Sequence, residues 1–475
     1  MALNTLCDEL LLLIISFVPP LDVEAFTATC RRVQSVGAAR LVAHRALKAR
    51  YGSVLVKEYT EYLQTGLTKI NHPIQLFNDI LNNPWIADYV NYICFECNHH
   101  SLDHLTGDTG LHASCTAIVR TLERRGNILA APAFKFLTGT KRQVWQDGIL
   151  KANTFSCFVA LLPLLSNLKR LRLTGYRYDP GPLADLYEYA QSTPGLILPK
   201  LSTVEAYNHD TEGSFHGDDL TVFSQFPSVK KLIGHWVNIK DQQLREKAYP
   251  GESAVEVLAL TDSGIQSKEA LARVLQPMKA LREFRFSLGP NMGPFSELDC
   301  RHIAALLLEH VAETLEVLSL TVGQEINAWR IGSLQGLKKL RELEIDFEML
   351  IGEFDPEGSE IEDTALESGF HEESSEDEDE TTPRAVDILP TSIERIVLNL
   401  NGHEDDVEAF LEALTTDEGL ALSNLKKFVY HGRTLDEDVR AILKDAGVSI
   451  GRRQGWPFKA HHDRFWDEDP GLTNN

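Results

Sequence analysis

The stretch Leu315-Glu316-Val317-Leu318-Ser319-Leu320 decides the fold, because its spacing of apolar residues recurs along the chain. The template is an apolar residue, two variable residues, an apolar residue, one variable residue and another apolar residue. Alternation at its end predicts a short half-buried strand. Further copies are Val90/Ile93/Phe95, Leu168/Leu171/Leu173, Leu201/Val204/Ala206, Val255/Leu258/Leu260, Leu281/Phe284/Phe286, Leu340/Leu343/Ile345, Ile393/Ile396/Leu398 and Leu425/Phe428/Tyr430, with a weaker one at Val229/Leu232.

Stretches of helical period lie between the copies, for example Lys268–Leu275, Cys300–Val311 and residues 405–414. One strand and one helix per unit resembles the divergent leucine-rich repeats, in which each unit buries its apolar edge against its neighbours. The resemblance implies an irregular α/β solenoid of horseshoe shape. An α/β domain with coincident patterning remains the alternative.

The variable positions of the template predict a polar surface. If the strands line a concave face, alternate side chains point into it. Their mixed charge and one aromatic ring suit a protein target, although a merely solvated sheet face is the alternative. The predicted target-binding residues are Arg172, Glu205, Tyr207, Arg285, Glu344 and Asp346, and Ser319 and Asn399 share the pattern.

The N-terminal segment predicts three helices, the first of them apolar nearly all round. It contains the run Leu10–Val18, begins near Asp8 and Glu9, and ends at Pro19-Pro20. A second helix is predicted from Asp22 to about Thr29, and a third from about Cys30 to as far as Arg50. The acidic residues before the run and its short length argue against a signal peptide and a membrane span. So much apolar helix surface on a small module needs a partner.

These residues resemble the F-box motif in order and spacing. The matching residues are Leu6-Cys7-Asp8-Glu9-Leu10, Ile14, Phe17, Pro20-Leu21-Asp22 and Thr29-Cys30-Arg31-Arg32-Val33, with Cys7 where the family usually has proline. The resemblance implies binding to a Skp-class adaptor and through it to a cullin. By that carry-over the adaptor-binding residues would be Leu6, Glu9, Leu10, Ile14, Phe17, Leu21 and Cys30. An ordinary buried helical hairpin is the alternative.

The charge of the chain is concentrated in one segment. The formal net charge is −23, which argues against nucleic-acid binding, because the chain has no excess of basic residues to neutralise phosphates. Residues 353–380 contain fourteen of the acidic residues and no Lys or Arg. We expect a disordered insert here, either solvated or regulatory. Ser374 and Ser375 resemble acidophilic kinase sites.

Catalytic and metal signals are weak. Cys94, Cys97, His112 and Cys115 have the spacing of a zinc site, but the template already explains Cys94 as a strand residue. Gly447-Val448-Ser449-Ile450-Gly451 has the letters of a nucleophile elbow without a helix after it, and we interpret it as a last strand. We therefore predict neither catalytic residues nor a cofactor, and leave metal binding by the four Cys and His residues open.

The predicted organisation combines these signals. An F-box-like module at 1–50 precedes a repeat array at 51–352, an acidic insert at 353–384, the last repeats at 385–450 and a tail at 451–475. The predicted function is a substrate-recognition adaptor of a Skp–cullin–F-box ubiquitin ligase that binds an unidentified protein target, not nucleic acid or a membrane. An F-box or scaffold protein in a non-ligase complex is the alternative. Seven cysteines, an odd number, favour a reducing cytoplasmic or nuclear compartment.

Overall fold

A computed structural model describes most of the chain and divides it into two compact units. Unit 1 comprises Met1–Asn238 and Gln243–Val255, and unit 2 comprises Ile239–Gln242 and Glu256–Asn475. The described residues are 3–57, 67–96, 116, 139–151, 153–175, 186, 188, 197–208, 215–239, 252–265, 267–289, 300–321, 330–352, 383–400, 403, 406–411 and 422–453.

Unit 1 begins with helices and continues as a parallel sheet. Its helices are α1 (Asp8–Phe17), α2 (Val23–Thr27), α3 (Arg31–Val36), α4 (Ala38–Tyr51), α5 (Pro73–Asn82), α6 (Ile86–Tyr89), α7 (Gly139–Leu150), α8 (Thr154–Leu161) and α9 (Gly217–Ser224). Its strands are β1 (Ser53–Lys57), β2 (Thr68–Ile70), β3 (Tyr92–Glu96), β4 (Arg170–Thr174), β5 (Thr203–Tyr207), β6 (Phe215–His216) and β7 (Lys231–His235), and β8 (Val237–Ile239) follows at the unit boundary. The sheet order is β2-β1-β3-β4-β5-β7, and β6 pairs with β8.

Unit 2 continues the alternation of strand and helix. Its strands are β9 (Val257–Ile265), β10 (Glu283–Leu288), β11 (Val317–Thr321), β12 (Glu342–Asp346), β13 (Arg395–Asn399), β14 (Lys427–His431) and β15 (Ser449–Arg452). Its helices are α10 (Lys268–Leu275), α11 (Cys300–Val311), α12 (Glu348–Ile351), α13 (Ala385–Ile388), α14 (Val407–Leu411) and α15 (Glu437–Asp445). Neighbouring strands are parallel and pair in chain order from β9 to β15.

The register stacks equivalent template residues of neighbouring strands. Leu318 in β11 aligns with Phe284 in β10 and with Leu343 in β12, and all three side chains are buried. Because side chains alternate along a strand, these apolar columns define one face of the sheet, and the residues between them define the other. All ten copies of the template, including the weaker one, coincide with a strand (β3, β4, β5, β7 and β9 to β14), which confirms the predicted strands.

The N-terminal helices join the sheet of unit 1 directly. Only Gly52 separates α4 from β1, and a hydrogen bond of 2.9 Å joins His44 Nδ1 of α4 to the Tyr89 hydroxyl of α6. The predicted third helix is divided at Gly37. A Cβ atom there would lie 2.9 Å from the Val33 carbonyl oxygen, too close for any residue but glycine without a shift of the backbone.

The predicted architecture of a three-helix F-box followed by a leucine-rich-repeat solenoid of horseshoe shape is wrong. Each unit instead has an open, flat parallel sheet accompanied by helices. In unit 1, four α-helices precede the first strand. The reason is physical: the template records which strand residues are buried, and any parallel sheet with helices against one face produces it. Curvature depends on packing volumes that the template does not contain.

Two predicted segments have no structural description. The acidic stretch 353–380, with Ser374 and Ser375, lies outside the described residues, as does the segment after Arg453. The domain boundaries predicted from sequence stay predictions. In the described part of the chain, no helix combines the length and the apolar character that a bilayer span requires.

Candidate functional site

Helix α1 has one buried apolar stripe and a second one that is exposed. Leu11 and Ile15 are buried, whereas Leu10, Leu13 and Phe17 have 47%, 54% and 71% of their surface exposed. At about 100° per residue, Leu10, Leu13 and Phe17 lie within one sector of the helix, and half-buried Ile14 borders it. We call Leu10, Leu13, Ile14 and Phe17 the α1 apolar face.

Most of the exposed large hydrophobic side chains lie in and just after α1. The described residues include eight exposed large hydrophobic side chains, and five of them belong to Leu10, Leu12, Leu13, Phe17 and Leu21. Single exposed hydrophobic residues are normal on any protein, but a contiguous group is typical of an interaction surface.

The opposite side of α1 is held firmly in place. Leu11 and Ile15 form a small core with Val33 of α3, and Leu6 and Cys30 pack against it. The Arg32 guanidinium lies 2.8 Å from Asp8 Oδ1 and donates a hydrogen bond of 2.7 Å to the Leu6 carbonyl oxygen. The α1 apolar face is therefore presented on a helix anchored from behind.

The predicted adaptor-binding residues divide into two groups. Glu9, Leu10, Phe17 and Leu21 are exposed, whereas Leu6, Ile14 and Cys30 are half-buried. Cys30 is the N-cap of α3, where its Sγ accepts a hydrogen bond of 3.5 Å from the Val33 N–H. Hydrogen bonds from its own backbone N–H and then from Cys7 lower the pKa of Glu9. Leu13 was missed, although the run Leu10–Leu13 is visible in the sequence.

In unit 1 the polar face of the sheet contains a buried charge cluster. Glu205 in β5 accepts hydrogen bonds from two arginines of β4, Arg170 and, at 2.7 Å, Arg172. The Arg170 guanidinium also lies over the Tyr92 ring, 5.4 Å from its centre. One strand further, the ring of Tyr207 stacks on that of His235 at 4.6 Å. The cluster leaves Glu205 only 2% exposed.

In unit 2 the polar face has a second cluster, centred on Glu344 of β12. This carboxylate is 1% exposed, and its oxygens lie 3.4 Å from Arg285 of β10 and 3.2 Å from Arg453. Beside it, Asn399 Nδ2 donates a hydrogen bond of 2.6 Å to Asp346 Oδ1. Ser319 and Thr321 of β11 are buried on the same face.

The predicted target-binding residues thus lie on one polar face in each unit, as the alternation requires. Most are buried, namely Arg172, Glu205, Glu344 and Asp346, and only Tyr207 and Arg285 are half-exposed. Their charges are satisfied within the chain. They are therefore arranged more as structural ion-pair networks than as freely presented contact residues.

Of the four candidate zinc ligands, only Cys94 lies in the part of the chain that the structure describes. Cys94 is buried in β3, and burial raises the pKa of its thiol to about 11, which disfavours the thiolate that binds metal. Cys97, His112 and Cys115 lie outside the described residues. The nucleophile-elbow letters fall where helix α15 precedes strand β15, the reverse of the order that the motif needs.

A small apolar cleft opens in unit 1 between α5, α6 and the turn after α8. It has a volume of about 290 Å³ and is lined by residues that include Ile80, Trp85 and Leu164. Asp88 contributes the cleft's one ionisable group, and burial raises the pKa of its carboxyl. One carboxyl among apolar groups defines no cofactor class.

Comparison with known proteins does not assign the chain to a family. No protein-family model matches the chain, and no curated protein sequence is significantly similar to it.

Proposed function

We propose that the protein is a substrate-recognition adaptor of a Skp–cullin–F-box ubiquitin ligase and that α1 docks it onto the Skp-class adaptor. The α1 apolar face carries the proposal, because it exposes Leu10, Leu13 and Phe17 on a helix anchored from behind. The resemblance of this segment to the F-box motif supplies the identity of the partner.

Energetics support docking at this face. The exposed side of α1 is as apolar as its buried side. When a partner covers such a surface, the complex is stabilised by about 25 cal/mol for each Å² of apolar surface removed from water. Fully burying a Leu or Phe side chain contributes about 1.5–3 kcal/mol. Three such side chains within ten residues therefore favour docking at this face.

The remainder of the chain would hold the target. In this mechanism no residue of the chain performs chemistry: one end binds the ligase core, the other binds a target protein, and target lysines meet activated ubiquitin at high effective concentration. The acidic net charge supports a protein target over nucleic acid.

The docking assignment is tested with Leu10→Asp combined with Phe17→Asp. Burying two carboxylates in an apolar interface should cost about 4 kcal/mol or more, on the order of a thousandfold in Kd. Both positions are exposed, so the fold should tolerate the change. Binding of the purified full chain to the Skp-class adaptor is measured by calorimetry.

Leu12→Asp provides the matched control. Leu12 is as exposed as Leu10, at 49% against 47%, but lies about 200° away around α1. We expect Leu12→Asp to bind almost as the unchanged chain does. Equal affinity of the double variant and the control would refute docking through the α1 apolar face.

A further inference from the structure

The apolar cleft of unit 1, here called the α5–α6 cleft, combines a buried floor with an accessible rim. Ile80 and Ala87, which line it, are 2% and 8% exposed. Trp85, Asp88 and Leu164 line it as well, and each of these three residues is half-exposed. Because the rim is in contact with solvent, a partner can reach the cleft without a change of fold.

Hydrogen bonds hold the backbone around the cleft in place. The Ala87 N–H donates one of 3.2 Å to the Pro84 carbonyl oxygen, and the Asp88 N–H donates another of 3.2 Å to that of Trp85. From the turn after α8, Asn167 Nδ2 donates a hydrogen bond of 2.9 Å to the Asp88 carbonyl oxygen. A preformed cleft loses less conformational entropy on binding than a flexible one.

The Asp88 carboxylate has acceptor capacity to spare. Among the described residues its side chain accepts one hydrogen bond, of 3.5 Å from the Ser166 hydroxyl, whereas a carboxylate can accept about four. The Lys200 ammonium donates to Asn167 Oδ1 at 2.6 Å, and in the described part of the chain it forms no ion pair with Asp88. Burial raises the pKa of the Asp88 carboxyl, so a cationic donor bound here would stabilise its ionised form.

Size and charge together define the occupant. A volume of about 290 Å³ is at the lower end of the range for small-molecule pockets, and the rim is open. The cleft therefore suits one or two side chains of a larger partner better than a whole small molecule. Its apolar walls favour a large apolar side chain, and Asp88 favours Arg or Lys beside it. The Trp85 indole and the net charge of −23 also attract a cationic partner.

We propose that the α5–α6 cleft recognises the target protein by taking up a large apolar side chain flanked by Arg or Lys. That the partner is a ligase target rests on the proposed function, whereas recognition of the apolar and basic pair rests on the cleft alone. Target recognition then lies away from the polar faces of the sheets, where Glu205 and Glu344 are already paired with arginines.

Binding is tested with the purified full chain and three acetylated peptide amides, by ligand-observed NMR titration. Their sequences are Ser-Arg-Phe-Arg-Ser, Ser-Glu-Phe-Glu-Ser and Ser-Arg-Ala-Arg-Ser. The first should bind at least tenfold more tightly than either of the others. Asp88 repels the glutamates of the second peptide, and the alanine of the third leaves the apolar walls uncovered.

Variants separate the cleft from the general acidity of the chain. Asp88→Asn keeps the shape but removes the charge, so the preference for the first peptide over the second should fall to about threefold or less. Asp147→Asn removes the same charge from exposed α7 and should keep the tenfold preference. Leu164→Arg, which introduces a cation at the rim, should abolish binding. Circular dichroism during thermal unfolding checks that each variant is folded.

Equal binding of the three peptides, or equal effects of Asp88→Asn and Asp147→Asn, would overturn the proposal. So would binding of 2-phenylethylamine as tight as that of the first peptide, which would indicate a small-amine site. Self-association of the chain that Asp88→Asn abolishes would indicate a second copy as the occupant and would also overturn it. Because the peptides do not involve α1, a chain that binds them but not the Skp-class adaptor would refute the ligase function and leave recognition at the cleft intact.

Discussion

At the scale of single residues, the stability of the sheet in unit 1 depends on its buried charges staying paired. Glu205 is almost fully enclosed and pairs with Arg170 and Arg172 of the preceding strand. Removing one member of a buried ion pair leaves a charge in a medium that solvates it poorly, whereas an exposed pair loses little.

We therefore expect Glu205→Gln to lower the free energy of unfolding by about 3 kcal/mol, because Arg172 keeps its burial but loses its counter-charge. Glu313→Gln is the comparison, since Glu313 forms an exposed ion pair with Lys338, and its effect should stay within about 0.5 kcal/mol. Urea unfolding of both full-length variants measures the difference. Similar midpoints for the two would contradict a structural role for the Glu205 cluster.

At the scale of elements, side-chain hydrogen bonds of buried Tyr51 and His44 tie the N-terminal helices to the rest of unit 1. Tyr51 ends α4 and donates a hydrogen bond of 2.7 Å to Asp79 Oδ2 of α5. Burial, followed by this hydrogen bond and the Asp79 charge, raises the pKa of Tyr51 to about 12. Nearby, burial lowers the pKa of His44, which favours the neutral imidazole beside Tyr89.

The Tyr51 pKa predicts a pH dependence. An unfolded tyrosine ionises near pH 10, so the stabilisation from the protonated hydroxyl is complete below about pH 10 and is lost as the pH rises toward 12. The unfolding free energy of the unchanged chain should therefore fall relative to that of Tyr51→Phe between pH 10 and 12. Parallel curves for the two proteins in that range would contradict the prediction.

Residues of alternating charge also lie immediately before the strands β10 to β14 of unit 2. Backbone hydrogen bonds align them in the order Arg282, Glu316, Arg341, Glu394 and Lys426. Lys426 Nζ lies 2.9 Å from Glu394, which lowers the pKa of that carboxyl. Opposite charges on adjacent strands favour the observed order of pairing over slipped ones.

At the scale of the whole molecule, the proposed function requires a docking helix and a body that holds a target. The ligase hypothesis and its non-ligase alternative differ in what accompanies the Skp-class adaptor. A ligase subunit should recover both the adaptor and a cullin, whereas a non-ligase assembly should contain the adaptor alone.

We expect affinity purification of the full chain from cells to recover adaptor and cullin together. Leu10→Asp combined with Phe17→Asp should lose both, and Leu12→Asp should retain both, because only the first variant alters the α1 apolar face. Quantitative mass spectrometry of the purified complexes measures this. Recovery of the adaptor without cullin would favour the F-box form of the non-ligase alternative, and recovery of neither protein with the unchanged chain would leave only its scaffold form.

Sequence patterns predicted the elements well and the architecture poorly. The helices Lys268–Leu275 and Cys300–Val311 coincide with α10 and α11. Strand β1 was missed although Tyr51, Val54 and Val56 fit the template, and Val54 and Val56 align with Ile93 and Phe95 of β3. Strand β2 (Thr68–Ile70) was missed because it has only part of the template. The division of the third helix at Gly37 was also missed, since the clash that requires glycine involves Val33, Thr27 and Ile15 in the folded chain.

By itself the sequence determined which residues alternate, where apolar runs end and where charge accumulates, since these are local properties of a chain. Only the tertiary structure decided that the sheets are open and flat, that Glu205 and Glu344 are enclosed by arginines from other parts of the chain, and which side of α1 stays exposed. The physical reason is that burial and ion pairing depend on residues far apart in sequence. Arg453, for example, reaches Glu344 across 109 residues of chain.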